Sequence, residues 1–107
     1  EGISIRVPTP NVSLIEFIFS SNKNMTKEEI NNSFIKSSKS ELKNILDTSD
    51  EQLVSSDFNH DPHSSIVDLS LTKVVDGKMA KVSAWYDNEW GFANRMCDLA
   101  VYLGNLK

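Results

Sequence analysis

The stretch WYDNEWGFANR at residues 85–95 decides the fold, because it marks the point where a strand passes directly into a helix. Residues 81–86 have the composition of a strand, and the apolar spacing after Trp90 predicts a helix that Gly104 ends. Asn88 lies in the turn between them, where polar side chains commonly face a ligand. The ring of Phe92 is suited to covering a flat ligand. This junction therefore predicts a binding site.

A second pattern lies near the start of the chain. In residues 3–7, Ile and Val alternate with Ser4 and Arg6, so the sequence predicts a strand with Arg6 on its outer face. Pro8 and Pro10 then interrupt the strand with a turn or bulge, because neither has an N–H to donate to a neighbouring strand. The sequence leaves open whether either bond before a proline is cis.

The remaining elements follow from apolar patterns and turn residues. Residues 12–19 are apolar on both faces, which predicts an inner strand, and a capping box at Thr26 and Glu29 predicts a helix through about Ser37. A short second helix is expected from about Ser40 to Leu46. Further strands are expected near Val54 and at residues 65–75 and 78–86, the last two joined by a hairpin at Asp76–Gly77. This order favours an α+β fold with helices packed on a mostly antiparallel sheet.

Composition narrows the functional classes. A chain of 107 residues holds at most one domain. A net charge of −4 without a cluster of Lys and Arg argues against nonspecific nucleic-acid binding. No apolar run approaches the roughly 20 residues of a membrane helix, and no signal-type segment opens the chain. The single cysteine agrees with a reducing compartment, so a cytoplasmic location is expected.

The residues 87–95 (DNEWGFANR) and 4–13 (SIRVPTPNVS) together resemble the C-terminal part of the catalytic domain of the glyceraldehyde-3-phosphate dehydrogenase family. Between them, DFNHDPHSS at residues 57–65 is similar to the family's loop before its last strands, so the resemblance spans essentially the whole chain. The four glycines form no G-x-G-x-x-G pattern. Residues 1–107 are thus expected to be a partial catalytic domain of a longer polypeptide, with the NAD-binding Rossmann domain absent from this chain.

The resemblance implies roles for three residues. It assigns to Arg6 the binding of the substrate phosphate or inorganic phosphate, and a planar guanidinium suits phosphate because it donates two parallel hydrogen bonds. It assigns to Asn88 a contact with the nicotinamide carboxamide of NAD, which an amide can meet as donor and acceptor. Phe92 stands where the family often has tyrosine, so only packing near the nicotinamide is expected of it.

No catalytic residue and no metal ligand is predicted. Cys97 lies among small apolar helix residues and is interpreted as a core residue rather than a nucleophile. The family's nucleophile belongs to a Cys-Thr-Thr-Asn segment that is not in this sequence. Asp57, His60, Asp61 and His63 raise a metal hypothesis, but their spacing matches no zinc signature, and a polar turn around Pro62 is the preferred interpretation.

The resemblance implies that the intact parent is a phosphorylating, NAD-dependent enzyme. It would oxidise glyceraldehyde 3-phosphate to 1,3-bisphosphoglycerate in glycolysis as a homotetramer, while this chain alone is expected to be inactive. Two alternatives stay open. In the first, the parent is erythrose-4-phosphate dehydrogenase, although Pro10 and Tyr86 favour glyceraldehyde-3-phosphate dehydrogenase. In the second, the chain is a non-catalytic assembly module.

Overall fold

The structure, a computed structural model, describes residues 2–106, so Glu1 and Lys107 at the ends of the expected domain lie outside the described residues. It is an α+β fold with a five-stranded sheet, which confirms the predicted class. The strands and helices in chain order are β1 Ser13–Ser20, α1 Lys27–Ser38, β2 Leu46–Ser49, β3 Ser65–Asp68, β4 Lys73–Val75, β5 Met79–Tyr86 and α2 Trp90–Asn105. Short 3₁₀ turns lie at Ser55–Phe58 and Leu69–Leu71.

Strand β5 organises the sheet. It pairs antiparallel with β1, β3 and β4, whereas β2 pairs parallel with β3, so the sheet is mixed but mostly antiparallel. Opposite the end of β5, Ser13 of β1 pairs with Tyr86. The residues just before β1 and just after β5 therefore meet at one edge of the sheet.

Two local predictions are confirmed. Asp76 and Gly77 have φ values of 50° and 65°, and positive φ at both central residues is what a type I′ hairpin requires. At the start of α1, the hydroxyl of Thr26 accepts from Glu29 N at 3.1 Å, and the Glu29 carboxylate accepts from Thr26 N at 2.8 Å. This reciprocal capping box begins the helix where the sequence predicted it.

The predicted strand at residues 3–7 is wrong. These residues form no strand and are exposed, with Ile3 at 90 % exposure. Alternation creates a strand only where a neighbouring strand pairs with it, and residues 3–7 pair with no strand among residues 2–106. The inner position predicted for residues 12–19 is also wrong, because β1 lies at the sheet edge in the described chain, with Leu14 and Phe17 exposed.

The middle of the chain also differs from the prediction. Residues 40–45 form turns rather than a helix, since Asn44 has a φ of 66°, and β2 begins at Leu46. The strand expected near Val54 is a 3₁₀ turn, in which Asp57 accepts a hydrogen bond from Val54 N at 2.8 Å. The strand expected at residues 65–75 is divided, because the Asp68 carboxylate accepts from Ser70 N and turns the backbone.

The core interpretation of Cys97 and of the α2 stripe is wrong for this structure. Helix α2 runs through Asn105, and its only buried residue is Gly91 in its first turn. Cys97 is exposed, as are Met96 and Val101. Helix α2 is therefore fixed to the sheet at its beginning, and its apolar side chains beyond that point contact little of residues 2–106.

Two small apolar clusters form the core, one on each face of the sheet. Val12, Phe58 and Ile66 pack with Leu53 and Trp85 on one face. On the other face, Leu46, Val67 and Ala84 pack with Phe34 and Leu69. The neighbouring residues 66 and 67 of β3 belong to different clusters because successive strand side chains point to opposite faces. The first cluster lies directly beneath the junction at the end of β5.

Candidate functional site

A buried carboxylate fixes the strand-to-helix junction. Asp87 follows β5 and is only 2 % exposed. Its Oδ1 accepts hydrogen bonds from Glu89 N at 3.1 Å and Trp90 N at 2.9 Å, and its carbonyl accepts from Gly91 N at 2.9 Å. These are the bonds of a helix cap, which satisfies backbone N–H groups that have no partner within the helix. Asn88 is thereby held in a turn closed at both ends.

The second oxygen of Asp87 contacts two other segments of the chain. Its Oδ2 accepts from Asn11 Nδ2 at 2.9 Å and from His60 N at 2.9 Å. Asn11 Nδ2 also lies 2.6 Å from the Asn59 side-chain oxygen. One carboxylate therefore joins the start of α2, the loop of residues 57–65 and the segment before β1.

These bonds determine the ionisation of Asp87. Burial by itself raises the pKa of this carboxyl, but the hydrogen bonds from Trp90 N, His60 N, Asn11 and Glu89 N together outweigh burial and hold the pKa below its usual value. Asp87 is consequently a permanent anion at neutral pH. Its charge also lies at the positive end of α2, where an anion is favourable.

The side chains predicted to bind NAD lie on the outside of this junction. Asn88 is exposed, and its amide makes no hydrogen bond within residues 2–106. Phe92, in the first turn of α2, is 65 % exposed. Between them, the Trp90 ring contacts the His60 ring in a tilted arrangement, with ring centroids 4.7 Å apart and an interplanar angle of 39°. The fixed backbone thus presents an amide and an aromatic ring to solvent, while their role in binding stays a prediction.

Close packing holds the loop of residues 57–65 against the start of α2. A Cβ at Gly91 would lie 3.0 Å from the backbone oxygen of His63, so a larger residue would require the loop to shift by a few tenths of an ångström. Within the loop, the Asp61 carboxylate accepts from His63 N at 2.8 Å and pairs with the His63 ring at 2.8 Å. Residues 57–63 are thus a hydrogen-bonded polar turn, as the sequence indicated.

One turn further along α2, Arg95 forms a second attachment. Its Nη1 donates to the carbonyl of Asn44 at 2.7 Å, and its Nη2 pairs with Asp98 at 2.7 Å. Arg95 therefore attaches α2 to the turn before β2.

Arg6 has different surroundings. Residues 2–10 are exposed, and their one backbone hydrogen bond in the described chain runs from Thr9 N to Val7 O at 2.9 Å. The Arg6 guanidinium makes no hydrogen bond or ion pair within residues 2–106. The bonds before Pro8 and Pro10 are trans. The structure therefore brings Asn11, but not Arg6, into the hydrogen-bonded cluster around Asp87.

Sequence reasoning overlooked Asn11, His60 and Asp87 as the residues that organise the site. Asp87 and Asn11 are 76 positions apart, so no local pattern reveals their contact. A signal was nevertheless available for Asp87, because an aspartate three residues before Trp90 is a typical helix cap.

Residues 2–106 contain no group of three His, Cys, Asp or Glu side chains arranged to hold a metal ion. In the same part of the chain, neither helix has the length and apolar character needed to cross a membrane.

Comparison with known proteins gives consistent matches. Residues 1–88 match the family model described as glyceraldehyde 3-phosphate dehydrogenase, C-terminal domain. The chain is 50 % identical over 106 residues to a glyceraldehyde-3-phosphate dehydrogenase of Cereibacter sphaeroides. The aligned region is 99 % of this chain and 32 % of that protein. It is 53 % identical over 105 residues to the glyceraldehyde-3-phosphate dehydrogenase of Zymomonas mobilis, and the alignment covers 96 % of this chain and 31 % of the relative. A chloroplastic relative from Arabidopsis thaliana is 49 % identical over 104 residues, covering 97 % and 26 %. The chain thus spans about a third or less of the length of these relatives.

Proposed function

This chain belongs to the glyceraldehyde-3-phosphate dehydrogenase family, as its motifs indicated, and from that premise we propose that it is the C-terminal part of a phosphorylating, NAD-dependent enzyme. The parent would oxidise glyceraldehyde 3-phosphate to 1,3-bisphosphoglycerate in glycolysis. The observation that carries this proposal is the hydrogen bond from Asn11 to Asp87. It joins the two family motifs, SIRVPTPNVS and DNEWGFANR, at one edge of the sheet.

Arg6 is proposed to bind phosphate. Its guanidinium is exposed and makes no ion pair within residues 2–106, so its five N–H donors are free to meet an anion. A phosphate can accept two parallel hydrogen bonds from such a fork, and this geometry fixes orientation as well as charge. Arg6 would hold the substrate phosphate or the attacking inorganic phosphate in line with the reacting carbon.

Asn88 and Phe92 are proposed to contact the nicotinamide of NAD, whose ring supplies the hydride acceptor when bound. The residues present fit this group, because the exposed Asn88 amide offers both a donor and an acceptor from a turn that Asp87 closes. Phe92 would pack beside the ring. Asn88 would orient the ring while the remainder of the parent holds the rest of the cofactor.

The catalytic thiol and its base are proposed to lie in the remainder of the parent enzyme. Within residues 2–106, the exposed Cys97 lies in the middle of α2 and makes none of the hydrogen bonds around Asp87. The isolated chain is therefore expected to be inactive. A cytoplasmic homotetramer is the proposed assembly, and the exposed apolar side chains of β1 and α2 are suited to contacts with the rest of the parent or with neighbouring subunits.

The test begins with the intact mass of the purified natural protein and continues with its activity. We expect a mass near three times the 12.0 kDa of this chain. We also expect NADH formation that requires glyceraldehyde 3-phosphate and inorganic phosphate together. Faster turnover of erythrose 4-phosphate would move the proposal to erythrose-4-phosphate dehydrogenase. A mass near 12.0 kDa, with oligomers that respond to neither phosphate nor NAD, would favour the assembly module instead.

A further inference from the structure

The two segments with proposed ligand roles are tied together through one buried carboxylate. Asp87 Oδ1 accepts from two amides at the start of α2, next to Asn88. Asp87 Oδ2 accepts from the side chain of Asn11, which lies five residues after Arg6. Oδ1 is thus bonded next to Asn88, the residue proposed to contact the nicotinamide. Oδ2 is bonded to the segment that carries Arg6, the residue proposed to bind phosphate.

The connection from Asn11 to Arg6 is short and stiff. Five residues span at most about 18 Å even when fully extended. Pro8 and Pro10 lie within this span, and each fixes its own φ near −65° and restricts the residue before it. The position of Asn11 therefore limits both the distance and the direction in which Arg6 is presented.

Asn11 is itself held from the other side by an unusual backbone conformation. Val12 has a φ of 69°, a left-handed conformation that a β-branched residue rarely adopts, and its side chain is buried against Phe58 and Ile66. Such strain persists only where the surroundings enforce it. Asn11 directly precedes this strained residue, and its amide donates to Asp87.

We propose that Asp87, acting through Asn11, is a positioning residue that sets the Arg6 segment at a fixed separation from the Asn88 turn. The phosphate and the nicotinamide are thereby bound in one geometry rather than independently. This inference rests on the roles proposed for Arg6 and Asn88. Asp87 touches neither ligand in this account, and its contribution is to hold the two binding groups in register.

The hydrogen bonds around Asp87 show which substitutions test its positioning role. An Asp87→Asn variant keeps the shape of the side chain but replaces one acceptor oxygen with an NH₂ group. That group would face either the amides of α2 or the donors Asn11 and His60, so one half of the cluster loses its acceptor. An Asn11→Ala variant removes the link from Asp87 to the Arg6 segment, together with the Asn11–Asn59 hydrogen bond, and leaves the helix cap intact.

Asp68 provides a matched control. It is also a buried aspartate, 6 % exposed, and its carboxylate accepts from Ser70 N at 3.1 Å, Ser70 Oγ at 2.6 Å and Trp85 Nε1 at 3.3 Å. None of its hydrogen bonds reaches residues 2–12 or the start of α2. An Asp68→Asn variant therefore disturbs a comparable buried site without loosening the proposed connection.

The experiment measures steady-state kinetics of the full-length enzyme with glyceraldehyde 3-phosphate, varying NAD and inorganic phosphate separately. Loss of a hydrogen bond to a charged group is expected to change binding by about tenfold. Because Asp87→Asn also removes the charge that strengthens the hydrogen bonds of the half that keeps its acceptor, it should raise KM for both inorganic phosphate and NAD by about that factor. Asn11→Ala should raise KM for phosphate alone, and Asp68→Asn should leave both constants within about twofold of the parent value even where it lowers thermal stability.

The outcomes separate this inference from the proposed function. Arg6→Ala and Asn88→Ala, made in the same enzyme, must raise KM for phosphate and for NAD respectively, and if neither does, both the function and this inference fail. If those two variants behave as expected but Asp87→Asn and Asn11→Ala match Asp68→Asn, only the positioning role is overturned. Should Asp87→Asn not fold, the partly exposed Asn11 carries the test, and an unchanged KM for phosphate in Asn11→Ala overturns it.

Discussion

The two segments with proposed ligand roles differ in how the chain holds them. The turn that carries Asn88 is closed by a buried carboxylate, a helix cap and a tightly packed glycine, all supplied by this chain. The segment that carries Arg6 is exposed, and its attachment within residues 2–106 begins at Asn11. The Asn88 turn is therefore fixed by contacts within this chain, whereas the Arg6 segment is anchored at one end only.

Removing the carboxylate that closes the Asn88 turn should have the largest effect on stability. Asp87→Ala leaves four N–H donors, those of Asn11, His60, Glu89 and Trp90, without their acceptor. We expect the free energy of unfolding of the full-length protein to fall by about 3 kcal/mol, the sum of a lost cap and of unpaired buried donors. Urea unfolding measures this, with the exposed Glu51→Ala as a control that should change stability by less than about 0.5 kcal/mol.

On the phosphate side, Arg6→Ala should show the reverse pattern. Because the guanidinium makes no contact within residues 2–106, stability should change by less than about 0.5 kcal/mol. KM for inorganic phosphate should rise by about 30-fold, as expected for the loss of a bidentate, charge-assisted contact worth about 2 kcal/mol. Arg6→Lys, which keeps the charge but not the fork, should restore only part of this loss. A large loss of stability in Arg6→Ala would contradict the comparison.

The packing of the junction is tested at Gly91. In Gly91→Ala, the new methyl group would lie 3.0 Å from the His63 carbonyl, so the loop of residues 57–65 must move. We expect a loss of about 1–2 kcal/mol and a raised KM for NAD, because the Asn88 turn moves with the helix start. Gly104→Ala is the matched control, since nothing lies within 4 Å of that position, and it should stabilise α2 by about 0.5 kcal/mol.

A smaller effect on stability is expected as the pH is lowered. The pKa of Asp87 is lower in the folded protein than in the unfolded chain, where it is about 3.9, so the carboxylate stabilises the fold fully above that pH. This contribution is lost as the pH falls through the lower, folded pKa. The unfolding midpoint of the parent protein should therefore fall more steeply below about pH 4 than that of Asp87→Asn. Parallel profiles for the two proteins would contradict the assignment of Asp87 as a hydrogen-bonded anion.

The sequence predicted what short-range chemistry controls. The hairpin at Asp76–Gly77 and the capping box at Thr26 depend on residues within three positions of one another, and both are confirmed. Strand β2 was missed because its four residues have no pattern of their own and gain their pairing from β3. The strand predicted at residues 3–7 was wrong for the converse reason, since its pattern lacks a partner in the described chain.

In the candidate site too, local motifs could be predicted from the sequence and long-range contacts could not. The motifs around Arg6 and Asn88 were visible in the sequence because they are long and unusual in composition. The contacts that arrange them were not visible, because Asp87 reaches Asn11 across 76 positions and His60 across 27. Cys97 was misplaced for a related reason, since an apolar stripe predicts burial but does not say which surface buries it.

Hydrogen exchange of the full-length protein, followed by mass spectrometry, tests most directly whether the two segments bind the two ligands. We expect inorganic phosphate to slow exchange in residues 2–7 and NAD to slow exchange in residues 88–92. The amides of His60 and Trp90, which donate to Asp87, should exchange slowly with or without ligand. Unchanged exchange in both segments at saturating phosphate and NAD would contradict the assignment of Arg6 and Asn88 to the binding site.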